Sequence, residues 1–554
     1  MAFVGVLTTL LLVFSSCRSV VAGAVQSTDL QLPSDADTYK QGVVDVFRIS
    51  WAAYKKYAWG HDDLEPVTGG YADSRNGWGS SLVDALSTAV LARLAVQDIF
   101  EEGVNHTLTV DFTESRTDDS VSVFETTIRY VGGMLSAYEL NGSSIQGLVD
   151  QTQTLVDKLA LAYSEDSAIP YGYIWFNNNS RVNASTTIAG AGTLDIEWGR
   201  LSNFTGNSTY LELAEATVKH IGSLTPPLPG FPARDIWPSN GEFDGSYITW
   251  GSGTDSYLEY LIKYARLTNT DDDFFVSHWL AAVDTTINEL FRTSTVGDWL
   301  YTIDIDDDGQ VLHINGHLAC FYGANWLLGG KLTDNETIVD YGLQLNEACW
   351  NTYNSTASGL GPVEFAFMSD DGDYTGGSAP EGWNLDFYEE HGWFYYSDDT
   401  AYYTQQPEII ESNFYAWRVT GDTKYIDRAV SVLHSINTYM PALAGYAGFV
   451  NVSDPLGERE NDLQRRTGSP WFAEVMGYLY LTFDDPTHIS LDDYVFTTEC
   501  HPFKAPTAKS TYGTSSTVAR SVQDDEPVID RYSAKFKYGA EDVAVGSEKM
   551  AVFS

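Results

Sequence analysis

Positive charge is scarce in this chain. Lys and Arg together number 31 against 76 Asp and Glu, which gives a formal charge of −45 over 554 residues. A field of that sign repels nucleic acid and anionic membrane surfaces. The expected partners are therefore neutral or cationic molecules and divalent metals.

Long apolar runs are missing beyond the N-terminus. Residues 1–23 hold an apolar core followed by small residues, Ala22-Gly23, as is typical of a secretory signal peptide. No positively charged side chain precedes that core, so an uncleaved signal anchor stays open as the alternative. No later segment has the length and apolar character of a membrane span. A lumenal or secreted protein without stable membrane insertion is predicted.

Cysteine is rare, with four residues in the chain. Cys17 lies in the predicted signal peptide. An oxidising compartment favours a bridge between Cys320 and Cys349, which leaves Cys500 as a buried thiol. Nine N-x-S/T sequons together with the signal pattern indicate an N-glycosylated chain. Their asparagines are Asn105, Asn141, Asn178, Asn183, Asn203, Asn207, Asn335, Asn354 and Asn451.

Helical periodicity is what the chain does have, from about residue 40 to 500. Stretches such as 39–59 and 81–100 carry apolar residues at three- and four-residue spacing. A local pattern recurs in which Gly206, Asn269 and Gly421 follow a helical run and suit a left-handed C-cap. The pattern predicts helical hairpins.

Glutamates recur at a nearly constant distance in sequence before these turns. Glu197, Glu259, Glu411 and Glu474 each lie eight or nine residues before a turn, among apolar neighbours. If the hairpins stack in a ring, these carboxylates converge near one end of its axis. The alternative is that surface helices are rich in Glu anyway.

Two further glutamates, Glu125 and Glu499, also lie among apolar and aromatic residues. Burial there makes ionisation costly, so we expect the pKa of such a carboxyl to rise. A raised carboxyl pKa suits a general acid near its working pH. The apolar stretches around Glu125 and Glu499 therefore point to glycoside hydrolysis.

Three segments depart from the helical pattern. Residues 504–554 are rich in Ser, Thr and charge, which predicts a flexible tail after a 24–503 catalytic domain. Ser369–Asp399 is rich in Gly, Asp and Tyr, which predicts a long surface loop. Asp304–Gly309 is similar to the start of an EF-hand loop, but the twelfth position is Asn315 and no flanking helix pair is evident, so an acidic turn is favoured.

Several stretches, in order along residues 40–503, resemble glycoside hydrolase family 47, the class I α-1,2-mannosidases. They include YAWGHDDLEPV (57–67), NGWGSSLVDALSTA (76–89), VFETTIRYVGGMLSAYEL (123–140), GTLDIEWGRLSNFTG (192–206), DSYLEYLIK (255–263), HLACF (317–321), PEIIESNFYAWRVTGD (407–422) and VFTTECHP (495–502). The wording of 76–89 is most similar to the secreted fungal branch. The resemblance implies an all-α (α/α)7 barrel, plugged at one end by a hairpin. It also implies Ca²⁺-dependent, inverting removal of α-1,2-linked mannose from high-mannose N-glycans.

Catalytic roles follow from the same resemblance. Glu125 matches the family's acid, Asp255 a second catalytic carboxylate and Glu408 the group usually assigned as base. Glu364, displaced by one position in its motif, is an alternative acid. An inverting enzyme needs such a pair, one carboxylic acid and one carboxylate that activates water. Thr498 matches the residue that contacts Ca²⁺ directly, with waters completing the shell.

Other matched residues line the sugar pocket or support it. Arg129 follows Glu125 by one helical turn, and a simple helix ion pair is the alternative. His317 matches a site histidine but could equally be a core residue. The Cys320–Cys349 spacing resembles the family's disulfide. The matched substrate-binding residues are Arg129, Glu197, His317, Glu411, Glu474 and Glu499.

Departures from the family motifs keep alternatives open. Gln406 stands where many members have Arg, and Gly253 stands where some members do. Thr467–Pro470 replaces a family motif that contains a stacking aromatic, for which Trp471 could substitute. These changes motivate the alternative of a weakly active, lectin-like relative in glycoprotein quality control. A third interpretation, an α/α-barrel enzyme acting on glucans or uronates, is disfavoured by VFTTECHP. The acidic, glycosylated surface favours a monomer.

Overall fold

A ring of helical hairpins makes up the protein. The computed structural model describes residues 23–165, 167–370, 379–457 and 466–513, and within these ranges fourteen helices form the ring. They are α1 (Ala36–Tyr57), α2 (Ser80–Leu91), α3 (Arg93–Thr107), α4 (Gly132–Leu140), α5 (Gln146–Leu159), α6 (Asp195–Thr205), α7 (Thr209–Ser223), α8 (Asp255–Thr268), α9 (Phe274–Thr285), α10 (Tyr322–Leu332), α11 (Glu336–Asn354), α12 (Glu408–Thr420), α13 (Lys424–Tyr439) and α14 (Met476–Phe483).

Even-numbered helices form an inner ring and odd-numbered helices an outer one. Every residue of α2 is buried, as are twelve of the fourteen residues of α8. Outer helices such as α1 bury one stripe and expose the other face, as an amphipathic surface helix does. The segment leading into α14 packs on α2, and α14 packs on α1, which closes both rings. The architecture is the predicted (α/α)7 barrel.

The inner helices run in one direction because α2 to α12 are each followed by an antiparallel outer helix, and α14 packs on the outer helix α1. Left-handed caps at Gly206, Asn269 and Gly421 (φ 74°, 50° and 73°) end α6, α8 and α12, as the turn pattern predicted. At the opposite end the chain returns from outer to inner helices through longer segments that contain short strands. These segments therefore surround the N-termini of the inner helices.

Short antiparallel strands form eight small sheets in the described residues. They are β1 (Asp63–Glu65), β2 (Gly70–Ala72), β3 (Val121–Ser122), β4 (Tyr173–Trp175), β5 (Ser180–Arg181), β6 (Thr186–Thr187), β7 (Asp235–Ile236), β8 (Phe291–Thr293), β9 (Leu300–Thr302), β10 (Asp304–Ile305), β11 (Val311–Leu312), β12 (Ile314–Gly316), β13 (Glu364–Ala366), β14 (Pro441–Ala442), β15 (Gly445–Tyr446), β16 (Tyr494–Phe496) and β17 (Pro502–Lys504). The hairpin β16–β17 carries a buried turn, 497–501, into the inner ring and so plugs it.

Three π-helical turns and several short helices complete the described structure. Two of the π-helical turns precede inner helices and adjoin or contain predicted site residues; π-bulges are frequent at functional sites. The π-helical turns are Thr126–Val131, Thr286–Leu290 and Trp471–Val475. The short helices are Val123–Glu125, Ala160–Ala162, Ile188–Gly192, Leu318–Phe321, Trp383–His391 and Asp398–Thr400.

The predictions for individual segments are partly wrong, and some of them fall outside the described residues. The prediction of a long surface loop over Ser369–Asp399 is wrong at Trp383–His391, which is a helix, and residues 371–378 of that segment lie outside the described residues. The predicted boundary at 503 falls inside β17, and the chain stays packed to residue 513, where Tyr512 is buried. The predicted signal peptide, apart from Gly23, and residues 514–554 of the predicted tail lie outside the described residues. Within the described ranges, none of the helices has both the length and the apolar character that a membrane span requires.

The cysteines behave as predicted. Cys320 and Cys349 form a disulfide that joins the turn before α10 to α11. Cys500 is a buried free thiol in the turn of the β16–β17 hairpin. The bridge therefore links the start of the inner helix α10, just after His317, to its outer partner α11.

Candidate active site

Acidic side chains cluster at the end of the barrel where the inner helices begin. Asp255 and Glu408 are the first residues of α8 and α12, and Glu125 lies in the turn that leads into α4. Helix N-termini carry partial positive charge, so this end favours carboxylates. Below we call this acidic cluster and the plug turn 497–501 the pit.

Arg129 ties the α4 side of the pit to the plug. Its Nε donates to Glu125 Oε2 at 2.6 Å, and its Nη1 donates to Glu499 Oε2 at 2.7 Å. Arg75, which precedes α2, donates from Nε to the same Glu125 oxygen at 3.0 Å. Arg129 is thus more than a helix ion pair, because it also holds a residue 370 positions away.

The two glutamates that Arg129 bridges have opposite pKa shifts. Burial raises the pKa of Glu125, but the charges and hydrogen bonds of Arg129 and Arg75 outweigh it and bring the pKa to about 2. The expected increase is therefore wrong for Glu125. For Glu499 the expectation holds, because burial prevails over Arg129 and raises its pKa to about 8.

Lys263 organises a second group of carboxylates on the opposite side of the pit. Its ammonium donates to Glu259 one turn earlier on α8, and it lies 3.6 Å from Glu411 Oε1 on α12. Tyr478 of α14 donates to the same Glu411 oxygen at 3.0 Å. Burial raises the pKa of Glu411 to about 8, although the Lys263 charge opposes it.

Tyr260 connects the barrel wall to the plug turn. Its hydroxyl donates to Glu197 Oε1 at 2.6 Å and accepts the backbone N–H of Thr498 at 3.2 Å. Burial raises the pKa of Glu197 to about 8. Burial and the neighbouring Glu499 likewise hold the pKa of Glu474 well above its usual value. The four hairpin glutamates predicted to converge therefore do lie around one plug.

Asp255 and Glu408 form another side of the pit, and no arginine of the described residues pairs with either carboxyl. Burial, followed by the charges of Glu259 and Glu408, raises the pKa of Asp255 to about 7, against hydrogen bonds from Ser256. Glu408 Oε2 lies 2.7 Å from His317 Nδ1. Asp255 is thus a carboxylic acid near neutral pH with a second carboxylate beside it.

His317 is both a core residue and a neighbour of the site. It is buried, and its Nε2 lies 2.8 Å from the hydroxyl of Tyr353, while Nδ1 faces Glu408. A histidine held at both ring nitrogens has a fixed orientation. It therefore positions the Glu408 carboxylate.

Glu364 lies at the edge of this region. It pairs in β13 with Gly316, the residue before His317, and it is half-buried. Burial raises the pKa of Glu364. Among the described residues, no hydrogen bond or ion pair joins it to the other predicted carboxylates, so it does not share their network.

Residues 46–505 match the model of Glycosyl hydrolase family 47. The chain belongs to this family. It is 37% identical over 494 residues to the probable mannosyl-oligosaccharide alpha-1,2-mannosidase 1B of Aspergillus clavatus, which covers 85% of this chain and 93% of the relative. The Emericella nidulans mannosyl-oligosaccharide alpha-1,2-mannosidase 1B is 36% identical over 514 residues, covering 89% and 97%.

A solved structure gives the same result. The alpha-1,2-mannosidase from Trichoderma reesei superposes with a TM-score of 0.79 at 34% identity and covers 85% of this chain and 99% of that one. The resemblance to family 47 and to its fungal members is therefore confirmed.

Gly253 and Gln406 depart from the family 47 motifs, and the structure shows what surrounds each of them. Gly253 has φ of 95°, where any other side chain is strained, and a Cβ there would lie 2.8 Å from Cγ of Arg234, so an arginine at 253 would require Arg234 to move. The Arg234 side chain instead fills that space and pairs with Asp235 at 2.8 Å. At the other position, the backbone oxygen of Gln406 accepts a hydrogen bond from Tyr403.

Trp471 does not replace the stacking aromatic of family 47. It is fully buried, its Nε1 donates to Ser50 Oγ at 2.9 Å, and its ring packs on Tyr446. A side chain in that position cannot stack on a sugar in the pit. Ser469 in the altered segment instead accepts a hydrogen bond from Arg129 at 3.2 Å.

The EF-hand-like sequence forms an acidic turn. Asp304–Ile305 pairs with Val311–Leu312, and Asp306 Oδ1 accepts the backbone N–H groups of Asp308 and Gln310. Within the described ranges, no group of three or more His, Cys, Asp or Glu side chains has the arrangement of a metal site.

Sequence reasoning missed two members of the network. Arg75 donates to Glu125, and its only sequence signal was an isolated cation beside an apolar helix. Asp84, fully buried within α2, lies 2.8 Å from His501 Nε2 and 3.7 Å from Arg129. A carboxylate in the middle of an otherwise apolar, small-residue helix could have revealed Asp84.

Proposed function

We propose that the protein is an exo-acting, inverting mannosyl-oligosaccharide 1,2-α-mannosidase that hydrolyses terminal α-1,2-linked mannose of high-mannose N-glycans. The single observation that carries the proposal is a pit in which burial raises the pKa of Asp255 to about 7, next to a Glu408 carboxylate that His317 orients. An inverting glycoside hydrolase uses such a pair, one carboxylic acid and one carboxylate that activates water. The names of the fungal relatives support the substrate and the linkage.

The proposed proton donor is Asp255. With a pKa of about 7 it retains its proton in mildly acidic surroundings, whereas Glu125 with a pKa of about 2 does not. Glu408, oriented by His317, removes a proton from the attacking water. Water oxygen bonds to the anomeric carbon, the glycosidic C–O bond breaks, and the leaving oxygen takes the proton of Asp255.

Glu125 then has an electrostatic and positioning role. Its carboxylate, with Arg129 and Arg75, presents fixed charges and hydrogen-bonding groups at the α4 side of the pit. Such preorganised groups stabilise an oxocarbenium-like transition state without reorganising during the reaction. This assignment replaces the expectation that Glu125 is the acid.

Ca²⁺ is the proposed cofactor, and the residues present fit a hydrated ion. Glu197 Oε2 is buried without a hydrogen-bond partner among the described residues, and the charge of Glu499 contributes to its raised pKa. Glu411 and Glu474 belong to the same pit and also have raised pKa values. A divalent cation would relieve this excess of buried acid. Thr498 would hold it directly and the carboxylates would hold its waters. When bound, the ion would polarise and orient sugar hydroxyls.

The secretory pathway is the proposed location, and the chain is proposed to act there as an N-glycosylated monomer. All nine sequon asparagines are exposed or half-buried, so each is open to modification. The network of acidic residues and the net charge of −45 suit a neutral oligosaccharide.

The test is incubation of purified protein with a high-mannose N-glycan, with and without a calcium chelator. Mass spectrometry should show stepwise loss of hexose that stops in chelator and resumes when Ca²⁺ is restored. Proton NMR of the first product should show β-mannose, the inverted anomer. Glycan binding without hexose release would instead support the lectin-like alternative, and α-mannose as the first product would exclude inversion.

A further inference from the structure

An open aromatic groove lies outside the pit. It has a volume of about 270 Å³ and lies between the start of the helix Trp383–His391 and residues 394–398. Trp383 is 58% exposed and Tyr396 is 36% exposed at its sides. All fifteen tryptophans lie in the described ranges, and Trp383 is the exposed one among them. An apolar ring of this size is costly to leave in water, so its exposure calls for an explanation.

The groove is rigidly built. Asn384 Nδ2 donates to the backbone oxygen of Tyr395 at 2.9 Å, and Asn384 Oδ1 accepts the Tyr395 N–H at 3.1 Å. Beneath this clasp, the rings of Phe387, Trp393 and Tyr395 pack with centroids 4.8 to 5.3 Å apart. The Trp383 ring lies 5.6 Å from that of Tyr395. The exposed indole is therefore held on a packed base.

The chemistry of the lining selects a neutral ligand rich in hydroxyl groups. Glu381, Ser397 and Asp398 supply hydrogen-bond acceptors around the aromatic rings, and no lysine or arginine lines the groove within the described residues. Two acidic side chains repel phosphate or carboxylate ligands. A hexose offers a C–H face to an aromatic ring and hydroxyls to carboxylates, and amphipathic aromatics suit such a surface.

The groove is connected to the pit by consecutive strand pairings. Phe394 and Ala366 exchange two backbone hydrogen bonds of 2.9 and 2.8 Å. Ala366 ends β13, which pairs with β12, and β12 ends directly before His317. Adjacent strands lie about 4.8 Å apart, so only a few sugar lengths separate the two places.

We propose that this groove binds an internal hexose of the same N-glycan whose terminal mannose occupies the pit. The inference rests on the proposed function and adds to it a substrate-binding surface formed by Trp383 and Tyr396. The groove then contributes to binding of branched oligosaccharides and contributes nothing to a disaccharide, which is too short to reach it.

The kinetic test compares two substrates. For Trp383→Ala, KM for a high-mannose N-glycan should rise roughly three- to tenfold, as expected for loss of one aromatic contact, with kcat unchanged. KM for α-1,2-mannobiose should stay the same, and Trp383→Phe should restore most of the loss. Leu443→Ala, which truncates another exposed apolar side chain, is the control. Equal KM values for the native protein and Trp383→Ala on the large glycan would overturn the proposal.

A binding measurement separates this inference from the proposed function. In the Glu408→Gln background, calorimetry with the intact glycan should show affinity reduced by the same factor when Trp383→Ala is added. Unchanged affinity would refute the groove even if the native protein is fully active. If the native protein releases no mannose, the proposed function fails, and the calorimetric result still decides whether the groove binds glycan.

Discussion

Two sides of the pit differ in charge rather than in burial. Glu125 and Glu408 are both partly buried, with side chains 23% and 13% exposed. Glu125 lies between Arg75 and Arg129, whereas Asp255, half-buried beside Glu408, has other carboxylates as its charged neighbours. The pKa is about 2 for Glu125 and about 7 for Asp255. Burial raises the pKa of both carboxyls, and the two arginines beside Glu125 outweigh it there, so they decide which of the two keeps its proton.

The largest expected effect concerns the arginine-free side. Glu408→Gln keeps the shape of the side chain but cannot accept a proton from water, so kcat should fall by about 10²–10⁴. KM should change little because the amide still hydrogen-bonds. The measurement is initial-rate kinetics of mannose release.

A matched control exists at the other end of the barrel. Asp484 Oδ2 lies 2.6 Å from His488 Nδ1, a carboxylate–histidine pair like that of Glu408 and His317. Asp484→Asn should lower stability and leave kcat intact. A comparable loss of kcat in both variants would mean that Glu408 acts only by holding the fold.

Removal of Arg129 should have the next largest effect. Arg129→Met leaves Glu125 and Glu499 without their shared cation, and breaking a buried ion pair on one side costs about 3–5 kcal/mol. Urea unfolding at pH 7 measures the loss. Arg129→Lys should recover part of the loss, since it restores the charge without the two-pronged contact. A loss below 1 kcal/mol for Arg129→Met would contradict the role of Arg129 as the link between α4 and the plug.

Much of this fold could be predicted because its signals are local. Helical periodicity and the caps at Gly206, Asn269 and Gly421 indicate the hairpins, and ring closure follows once each hairpin buries its apolar side. The similar spacing of the glutamates from the turns, eight or nine residues, likewise predicted that Glu197 and Glu411 lie at nearly the same height. These features depend on neighbours within one hairpin.

The electrostatics of the site could not be predicted in this way, because they depend on residues distant in sequence. Arg129 opposes the effect of burial on the pKa of Glu125 from one helical turn away, but Arg75, which adds to it, reaches Glu125 from a segment 50 positions earlier. The sequence left Trp471 as a candidate for stacking on a sugar, but in the structure it packs against Tyr446 in the core. Local sequence gives the likelihood of burial but not the charges that meet there.

The pH dependence of activity sharpens the comparison. Because Asp255 must be protonated to act as the acid, kcat/KM on a high-mannose glycan should fall about tenfold per pH unit above the pKa of about 7. Arg75→Met should leave that alkaline limb in place, since Arg75 contacts Glu125 and not Asp255. If Glu125 were the acid, activity would already fall as the pH rises above about 2, and Arg75→Met would move that fall to higher pH.

The smallest expected effect is the acid sensitivity of the arginine side. The pKa of Glu125 is lowered from 4.5 to about 2, so its ionised form stabilises the folded state above pH 4.5, and this contribution disappears as pH falls towards 2. Arg75→Met raises the folded pKa and should cost about 1–2 kcal/mol at pH 6 but less at pH 3. Urea unfolding at both pH values measures the difference, with Arg75→Lys as the charge-preserving control. A cost that is equal at pH 6 and pH 3 would mean that Arg75 stabilises the protein by packing, and the charge contrast between the two sides would lose its cause.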